Sequence, residues 1–315
     1  MSLHRASRGA GPDVALLHGW GLHGGIFAEF AERLVRHYRV HVVDLPGHGR
    51  SGWSRGAGDL EGWSRLVAAH LPGRCAVVGW SLGGYVAQHL ARLFPQQVTR
   101  LVLIATAAVG VKRRDFQSAA DPVLMQTLAR RLTTDWRAAV QDFLSVEVRG
   151  DDNPLAALRS LRQHLDSQAA PNPAALQTGL EILRSVDLRS SARAIRCPTL
   201  LLAGERDRIA PPEGVKALGA LIDAARCQVI DGAAHARIVE GRLRPVEEHV
   251  HERAFLAVEL EPRIGLDGCH RLPGDIFDHV DIARLQGGKA QVLVGIDDEF
   301  DALQLRDSGL VELVE

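Results

Sequence analysis

The chain has 315 residues, of which 46% are hydrophobic and 24% charged, and its formal net charge is -1. This balance indicates a globular fold with a large core and excludes a strongly basic nucleic-acid-binding protein or a polybasic membrane-surface protein. The longest uncharged apolar run, Leu101 to Val111, is too short to cross a bilayer, and Met1 to Pro12 has no apolar segment typical of a secretory signal. We therefore expect a cytoplasmic protein with no nucleic-acid or membrane partner.

Short apolar strands alternate with helical patterns along the first third of the chain. The predicted strands there are Val14 to Leu17, Val40 to Val43, Cys75 to Val78 and Arg100 to Ala105. Two more are predicted further along the chain, at Thr199 to Ala203 and Cys227 to Ile230. The helical patterns that follow the first three are Ile26 to His37, Leu60 to His70 and Leu82 to Phe94. Apolar strands separated by helices predict an α/β fold with a mostly parallel sheet flanked by helices.

Residues 112–188 lose the strand signal and show helical periodicity, as in Leu124, Leu128 and Leu132. Segments with proline interrupt the pattern. We predict a helical cap over 112–188, inserted into a core formed by 1–111 and 189–260. A helix is also expected over Glu247 to Leu260, and 261–315 forms an atypical C-terminal extension.

The segment Gly79-Trp80-Ser81-Leu82-Gly83-Gly84 connects a predicted strand to a predicted helix. Glycines two positions before and two after a serine allow the sharp turn that exposes a nucleophile at the end of a sheet. Ser81 is therefore the candidate nucleophile. The same pentapeptide can also be a simple small-residue turn, so its context in the chain decides between the two interpretations.

Two further strand ends supply an acid and a base. Asp207 follows the predicted strand Thr199 to Ala203, and His235 follows the predicted strand Cys227 to Ile230. The chain order Ser, Asp, His is that of the α/β-hydrolases, so we predict Ser81, Asp207 and His235 as a catalytic triad. Weaker competitors fall in predicted helices, namely His249, His251 and Asp223.

The turn His18-Gly19-Trp20-Gly21 follows the first parallel strand, where this fold places an oxyanion donor. The backbone amides of Trp20 and Leu82 are the candidate pair. The glycines near Ser81 match neither the G-x-G-x-x-G nor the P-loop pattern of nucleotide-binding proteins, so we expect no cofactor. His249 and His251 lack evident carboxylate or thiolate partners for a metal ion, so we expect no metal.

Four segments together resemble the biotin-pathway carboxylesterases, α/β-hydrolases that demethylate pimeloyl-acyl carrier protein methyl ester. These segments are Leu16–Leu22, Val43–Ser51, Gly79–Gly84 and Gly179–Arg189. The resemblance implies a methyl ester substrate on acyl carrier protein and the same triad. It also implies substrate contacts by Trp20, Leu82, Phe143, Leu144, Ser145, Val146 and Glu147. After Ala236 the chain departs from the family's usual short ending.

Three alternatives remain open at this point: a general short-chain esterase, a carbon–carbon bond hydrolase on the same triad, and a non-catalytic binding protein with the hydrolase fold. The predicted cap, 112–188, contains ten basic and ten acidic residues, and most of its basic residues are arginines. Because acyl carrier protein is strongly acidic, Arg137, Arg159 and Arg162 are candidates for docking it, with Phe143 and Leu144 lining the acyl channel beneath. A solvated helix face with internal ion pairs would show the same composition. We expect a monomer.

Overall fold

A computed structural model describes residues 2–237 and 239, together with the backbone of four short strands at 280–281, 292–296, 299–305 and 311–313. The chain divides into two compact units, Met1–Leu266 and Asp267–Glu315. The predicted helix Glu247 to Leu260 and the predicted boundary between 260 and 261 lie outside the described residues.

A seven-stranded sheet forms the centre of the first unit. Its strands are β1 (Arg5–Arg8), β2 (Asp13–Leu17), β3 (Arg39–Val43), β4 (Cys75–Trp80), β5 (Val98–Ile104), β6 (Thr199–Gly204) and β7 (Ala225–Ile230). Their spatial order is β1-β3-β2-β4-β5-β6-β7, and only β1 is antiparallel to its neighbour in this sheet. The predicted α/β fold is confirmed.

Nine α-helices occur among the described residues. They are α1 (Ala28–Leu34), α2 (Leu60–His70), α3 (Leu82–Leu93), α4 (Pro122–Leu132), α5 (Trp136–Glu147), α6 (Pro154–Asp166), α7 (Pro173–Ser185), α8 (Arg189–Ala192) and α9 (Pro212–Gly219). Helices α4 to α7 lie between β5 and β6 in the chain, within the segment predicted as a cap. No helix of the described residues has the length and apolar character that a membrane crossing requires.

Helices α4 to α7 begin at positions that the sequence marks clearly. Each has an Asp or Asn cap whose side chain accepts a backbone N–H of the first turn: Asp121, Asp135, Asn153 and Asn172. In α4, α6 and α7 a proline follows this cap, at the position where its missing N–H costs nothing. Local chemistry therefore defines where these helices start.

Most predicted strands differ from the observed ones by one or two residues at an end, and two predicted elements differ in a way that has a structural description. The stretch predicted as one helix, Ile26 to His37, is a 3₁₀ helix (Gly24–Phe27) followed by α1. Strand β5 begins at Val98 and ends at Ile104, because Ala105 takes a positive φ of 48° that interrupts the extended backbone.

The second unit contains a separate antiparallel sheet. Its strands are β8 (Val280–Asp281), β9 (Val292–Ile296), β10 (Glu299–Leu305) and β11 (Val311–Leu313), in the order β11-β10-β9-β8. The pairs β8–β9, β9–β10 and β10–β11 are all antiparallel.

Candidate active site

The turn between β4 and α3 carries Ser81 in an unusual backbone conformation. Its φ is 52° and its ψ is -117°. The neighbouring glycines permit this turn. A methyl group added at Gly79 would lie 2.5 Å from the Gly83 carbonyl oxygen, and one added at Gly83 would lie 2.1 Å from the Leu17 carbonyl oxygen. Neither position has room for a side chain, so the sequence G-x-S-x-G is a steric requirement of this turn.

Ser81 precedes the first residue of α3, a position where serine hydroxyls commonly cap the helix. Here the side chain makes no capping bond. Its Oγ instead lies 2.9 Å from Nε2 of His235. The hydroxyl is therefore directed to an imidazole rather than to the helix backbone.

The predicted triad residues form one hydrogen-bonded chain in the interior. Nδ1 of His235 lies 2.7 Å from Oδ2 of Asp207. Because an ionised carboxylate can only accept, Nδ1 carries the proton, and Nε2 of the neutral ring accepts from the Ser81 hydroxyl. Ser81 is 3% exposed, Asp207 4% and His235 1%. The structure thus brings together the three residues that were singled out at three separate strand ends.

Backbone amides hold the second carboxylate oxygen of Asp207. Oδ1 accepts from Ile209 N–H at 2.8 Å and from Ala210 N–H at 2.9 Å. The competing acid Asp223 instead forms an exposed ion pair with Arg196, and the competing histidines His249 and His251 lie outside the described residues. Among the acids considered from the sequence, Asp207 is the one that contacts the imidazole.

Two further contacts fix the backbone of His235. Its N–H donates to the carbonyl of Glu147, at the end of α5, at 3.1 Å. Its carbonyl accepts from Nε1 of Trp80, the residue before Ser81, at 3.2 Å. Burial lowers the pKa of His235, but the charge and hydrogen bond of Asp207, together with the charge of Glu147, outweigh burial and raise this pKa above its ordinary value of 6.5.

The predicted oxyanion residues Trp20 and Leu82 are both fully buried. Leu82 is the first residue of α3, so its N–H has no acceptor within the helix. The Trp20 side chain donates from Nε1 to the carbonyl of Leu176 in α7, at 2.8 Å. Its ring also packs edge-on against Phe143, with centroids 5.2 Å apart.

His18 supports the turn that contains Trp20. Its Nδ1 lies 2.7 Å from the Gly19 carbonyl oxygen, and its Nε2 accepts the N–H of Leu45 at 2.9 Å. Only the neutral ring with its proton on Nδ1 can make both bonds. Burial is the main cause that lowers the pKa of His18 to about 3, which keeps the ring in this form.

The five residues 143–147 occupy the last part of α5. Phe143, Leu144 and Glu147 are buried, whereas Ser145 and Val146 are partly exposed. This segment touches the candidate site at two places, through the Phe143 ring on Trp20 and the Glu147 carbonyl on His235. A role in substrate contact stays a prediction.

The three arginines predicted to dock a carrier differ in their surroundings. Arg137 forms an ion pair with Asp166 and stacks on Trp136, with its guanidinium 5.2 Å from the ring centroid. Arg159 and Arg162 line a groove of about 540 Å³ along α6. No residue of the predicted triad lines this groove.

An ion cluster missed by the sequence analysis joins the loop between α5 and α6 to the loops that carry Asp207 and His235. Asp152 accepts from Nη1 of Arg206 and from Nη1 of Arg237, each at 2.8 Å. Arg206 directly precedes Asp207, and Arg237 follows His235 by two positions. These partners are 54 and 85 residues away from Asp152 in the chain, so no local pattern could have indicated them.

Within the part of the chain that the structure describes, no group of three or more His, Cys, Asp or Glu side chains could hold a metal ion. The residues that the structure brings together at the site supply a hydroxyl and a base oriented by a carboxylate. This set suits acyl transfer through a covalent intermediate.

Residues 12–241 match a family model described as alpha/beta hydrolase fold. A protein of Xanthomonas campestris pv. campestris named pimeloyl-[acyl-carrier protein] methyl ester esterase is 39% identical over 243 residues, which cover 77% of this chain and 95% of that protein. A protein of the same name from Nitrosospira multiformis is 40% identical over 222 residues, which cover 68% of this chain and 83% of that protein.

Solved structures show the same fold at lower sequence identity. An esterase from Exiguobacterium antarcticum superposes with a TM-score of 0.70 at 22% identity, covering 82% of this chain and 95% of its own. A bromoperoxidase from Bacillus anthracis gives a TM-score of 0.73 at 20% identity, with the same coverage of 82% and 95%.

Proposed function

The chain belongs to the alpha/beta hydrolase fold family, and we propose that it hydrolyses pimeloyl-acyl carrier protein methyl ester to pimeloyl-acyl carrier protein and methanol, a step of biotin biosynthesis. The chain is a carboxylic ester hydrolase, like the relatives from Xanthomonas campestris and Nitrosospira multiformis. Those relatives, aligned over most of their own length, supply the identity of the ester.

In the proposed mechanism, His235 accepts the Ser81 proton while Oγ attacks the ester carbonyl. The tetrahedral oxyanion binds the amides of Trp20 and Leu82. His235 then gives its proton to the departing methoxide, which leaves as methanol, and the acyl group stays on Ser81. A water molecule, deprotonated by His235, releases the free carboxylate and restores the serine. Asp207 orients the imidazole and stabilises its cationic form throughout.

The observation that carries this proposal is the hydrogen-bonded chain from Ser81 through His235 to Asp207, with the Ser81 hydroxyl not used as a helix cap. Labelling with a fluorophosphonate probe tests it directly. We expect wild-type protein to be labelled at Ser81 and both Ser81→Ala and His235→Ala to lose about 10⁶-fold in kcat while remaining folded. Equal labelling of wild type and Ser81→Ala, or no labelling of folded wild type, would favour a non-catalytic binding protein.

The identity of the ester requires a separate measurement. Methanol and free acid should be the products from a pimeloyl-type methyl ester, at a kcat/KM well above that for p-nitrophenyl acetate. A general short-chain esterase would show the reverse preference, and turnover of a vinylogous diketone alone would identify a carbon–carbon bond hydrolase. These three substrates therefore separate the alternatives that share one triad.

We propose that the groove along α6 docks the acidic carrier. Arg159 and Arg162 provide positive charge in it, and Leu155, which is 74% exposed, provides an apolar contact. Arg137 is paired with Asp166, so we assign it a smaller part than its two neighbours. Long-range attraction of this kind raises the association rate and weakens as salt screens it.

The docking proposal is tested with an Arg159→Glu, Arg162→Glu double variant. Its kcat/KM should fall for the carrier-bound ester but not for a small free ester, and the loss should shrink at high salt. Reversal of two arginines outside the groove, Arg65→Glu with Arg196→Glu, changes the net charge equally and serves as the control. An equal loss on both substrates, or no loss on either, would contradict docking through this groove.

A further inference from the structure

Helix α7 makes a buried polar contact with the side chain of Trp20, whose backbone amide is a proposed oxyanion donor. The indole Nε1–H donates to the Leu176 carbonyl at 2.8 Å, across 156 residues of sequence. In a helix, the Leu176 carbonyl would ordinarily accept from the amide of residue 180, so the indole is an additional donor to the same oxygen. The contact orients the Trp20 ring relative to α7.

Gly179 lies three residues further along α7, on the same face of the helix. A methyl group there would lie 2.9 Å from Cδ1 of Trp20 and 2.9 Å from Cδ2 of Leu82. A side chain at position 179 would therefore collide with the side chains of both residues whose amides are proposed to bind the oxyanion. This glycine has a helical, not a positive, φ, so its backbone conformation does not require glycine.

The Trp20 ring has little freedom to move away from α7. Its indole N–H is bonded to Leu176, and Phe143 of α5 packs against it with the two rings at an interplanar angle of 83°. Trp20 is fully buried. A displacement of the ring would therefore be transmitted to the backbone of the short turn that presents the Trp20 amide.

We propose that Gly179 is a positioning residue: its missing side chain lets α7 pack directly on Trp20 and Leu82 and so places both oxyanion amides. The inference rests on the proposed function, because it assigns the two amides their role in acyl transfer. A contact that positions donors for the transition state acts on kcat more than on KM.

Gly179→Ala tests the proposal, with Gly219→Ala at the end of α9 as the matched control. A methyl group at Gly219 meets its nearest atom at 3.5 Å, an ordinary contact. For Gly179→Ala we expect kcat on p-nitrophenyl acetate to fall by about 10-fold or more, with KM changed by less than about 3-fold. Affinity for a trifluoromethyl ketone, whose adduct with Ser81 carries the oxyanion, should fall by the same factor as kcat. Gly219→Ala should leave all three unchanged.

A second variant covers the case in which Gly179→Ala does not fold. Trp20→Phe removes the indole N–H and adds no volume, and Trp63→Phe is its control, because buried Trp63 donates to the Ala57 carbonyl at the same 2.8 Å. Trp20→Phe should lower kcat and trifluoromethyl ketone affinity together, and Trp63→Phe should lower neither.

Two results would overturn the inference. The first is a folded Gly179→Ala variant that keeps wild-type kcat. If Gly179→Ala does not fold, a folded Trp20→Phe variant that keeps wild-type kcat has the same meaning. The second is a loss of kcat without a matching loss of inhibitor affinity. Failure of the proposed function is separate, since it would appear as wild-type protein that is neither labelled by fluorophosphonate nor able to hydrolyse esters.

Discussion

Two buried histidines next to the Trp20 turn should make the protein sensitive to mild acid. The rings of His18 and His48 lie with centroids 5.4 Å apart, and both are fully buried. Burial is the main cause that lowers the pKa of His18 to about 3 and that of His48 to about 4, from an ordinary value of 6.5. The perturbation is a decrease in pH from 8 to 5, at which the folded protein keeps both rings neutral and the unfolded chain protonates them.

The sign and size of the effect follow from linkage. A histidine whose pKa is lower in the folded state contributes stability that is fully present above pH 6.5 and is lost as the pH falls toward the folded value. At pH 5 each of the two rings costs about 2 kcal/mol relative to pH 8, so the pair costs about 4 kcal/mol. That is a large fraction of the roughly 5–15 kcal/mol that stabilises a typical domain. The raised pKa of His235 acts in the opposite direction, because protonation of that ring favours the folded state.

Urea unfolding at pH 8 and pH 5 measures this difference in free energy. His48→Phe removes one of the two titrating rings, so its loss of stability between the two pH values should be smaller by about 2 kcal/mol than that of wild type. His37→Asn replaces an exposed histidine and should alter stability by no more than about 0.5 kcal/mol. If His48→Phe and wild type lost equal stability between pH 8 and pH 5, the attribution to buried neutral imidazoles would be refuted.

Two predictions concern the groups around His235. Asp207→Asn should lower kcat on a p-nitrophenyl ester by about 10⁴-fold, less than the loss in Ser81→Ala, because the imidazole loses its orientation but the nucleophile remains; a fully active Asp207→Asn would require another acid. The kcat/KM of wild type should rise with pH through a pKa above 6.5, where His235 becomes neutral, and Glu147→Gln should move this rise to lower pH because the charge of Glu147 helps to raise the pKa. A pH profile of Glu147→Gln that coincides with wild type would remove Glu147 from this role.

Hydrophobic periodicity and glycine spacing predicted strands β2 to β7 and the residues at their ends, because each of these features depends on neighbours close in the sequence; the exposed edge strand β1 (Arg5–Arg8) was not predicted. Ser81 could be singled out from the tight approach that Gly79 and Gly83 allow. The 3₁₀ turn Gly24–Phe27 could not be distinguished from the helix that follows it, since both bury similar apolar residues at similar spacing.

Contacts between distant segments could not be predicted in the same way. Asp152 pairs with Arg206 and Arg237 only because the loop after α5 lies next to the loops that follow β6 and β7. No local sequence pattern indicates that these loops are neighbours. Gly179 stood in a segment noted for its resemblance to a family, but its closeness to Trp20 became evident only from the packing of α7. Similarly, composition alone could not distinguish Arg137, which is paired with Asp166, from the arginines that line the groove.

The positive φ of Ser81 has a consequence for the evolution and engineering of this chain. A side chain at a φ of 52° stores backbone strain on the order of 1–3 kcal/mol, which a glycine would relieve. For thermal stability alone, glycine is therefore the better residue at position 81, and a library screened only for heat resistance would enrich variants without the hydroxyl. Selection that retains Ser81 must act on activity, so this single turn separates the two demands of folding and chemistry.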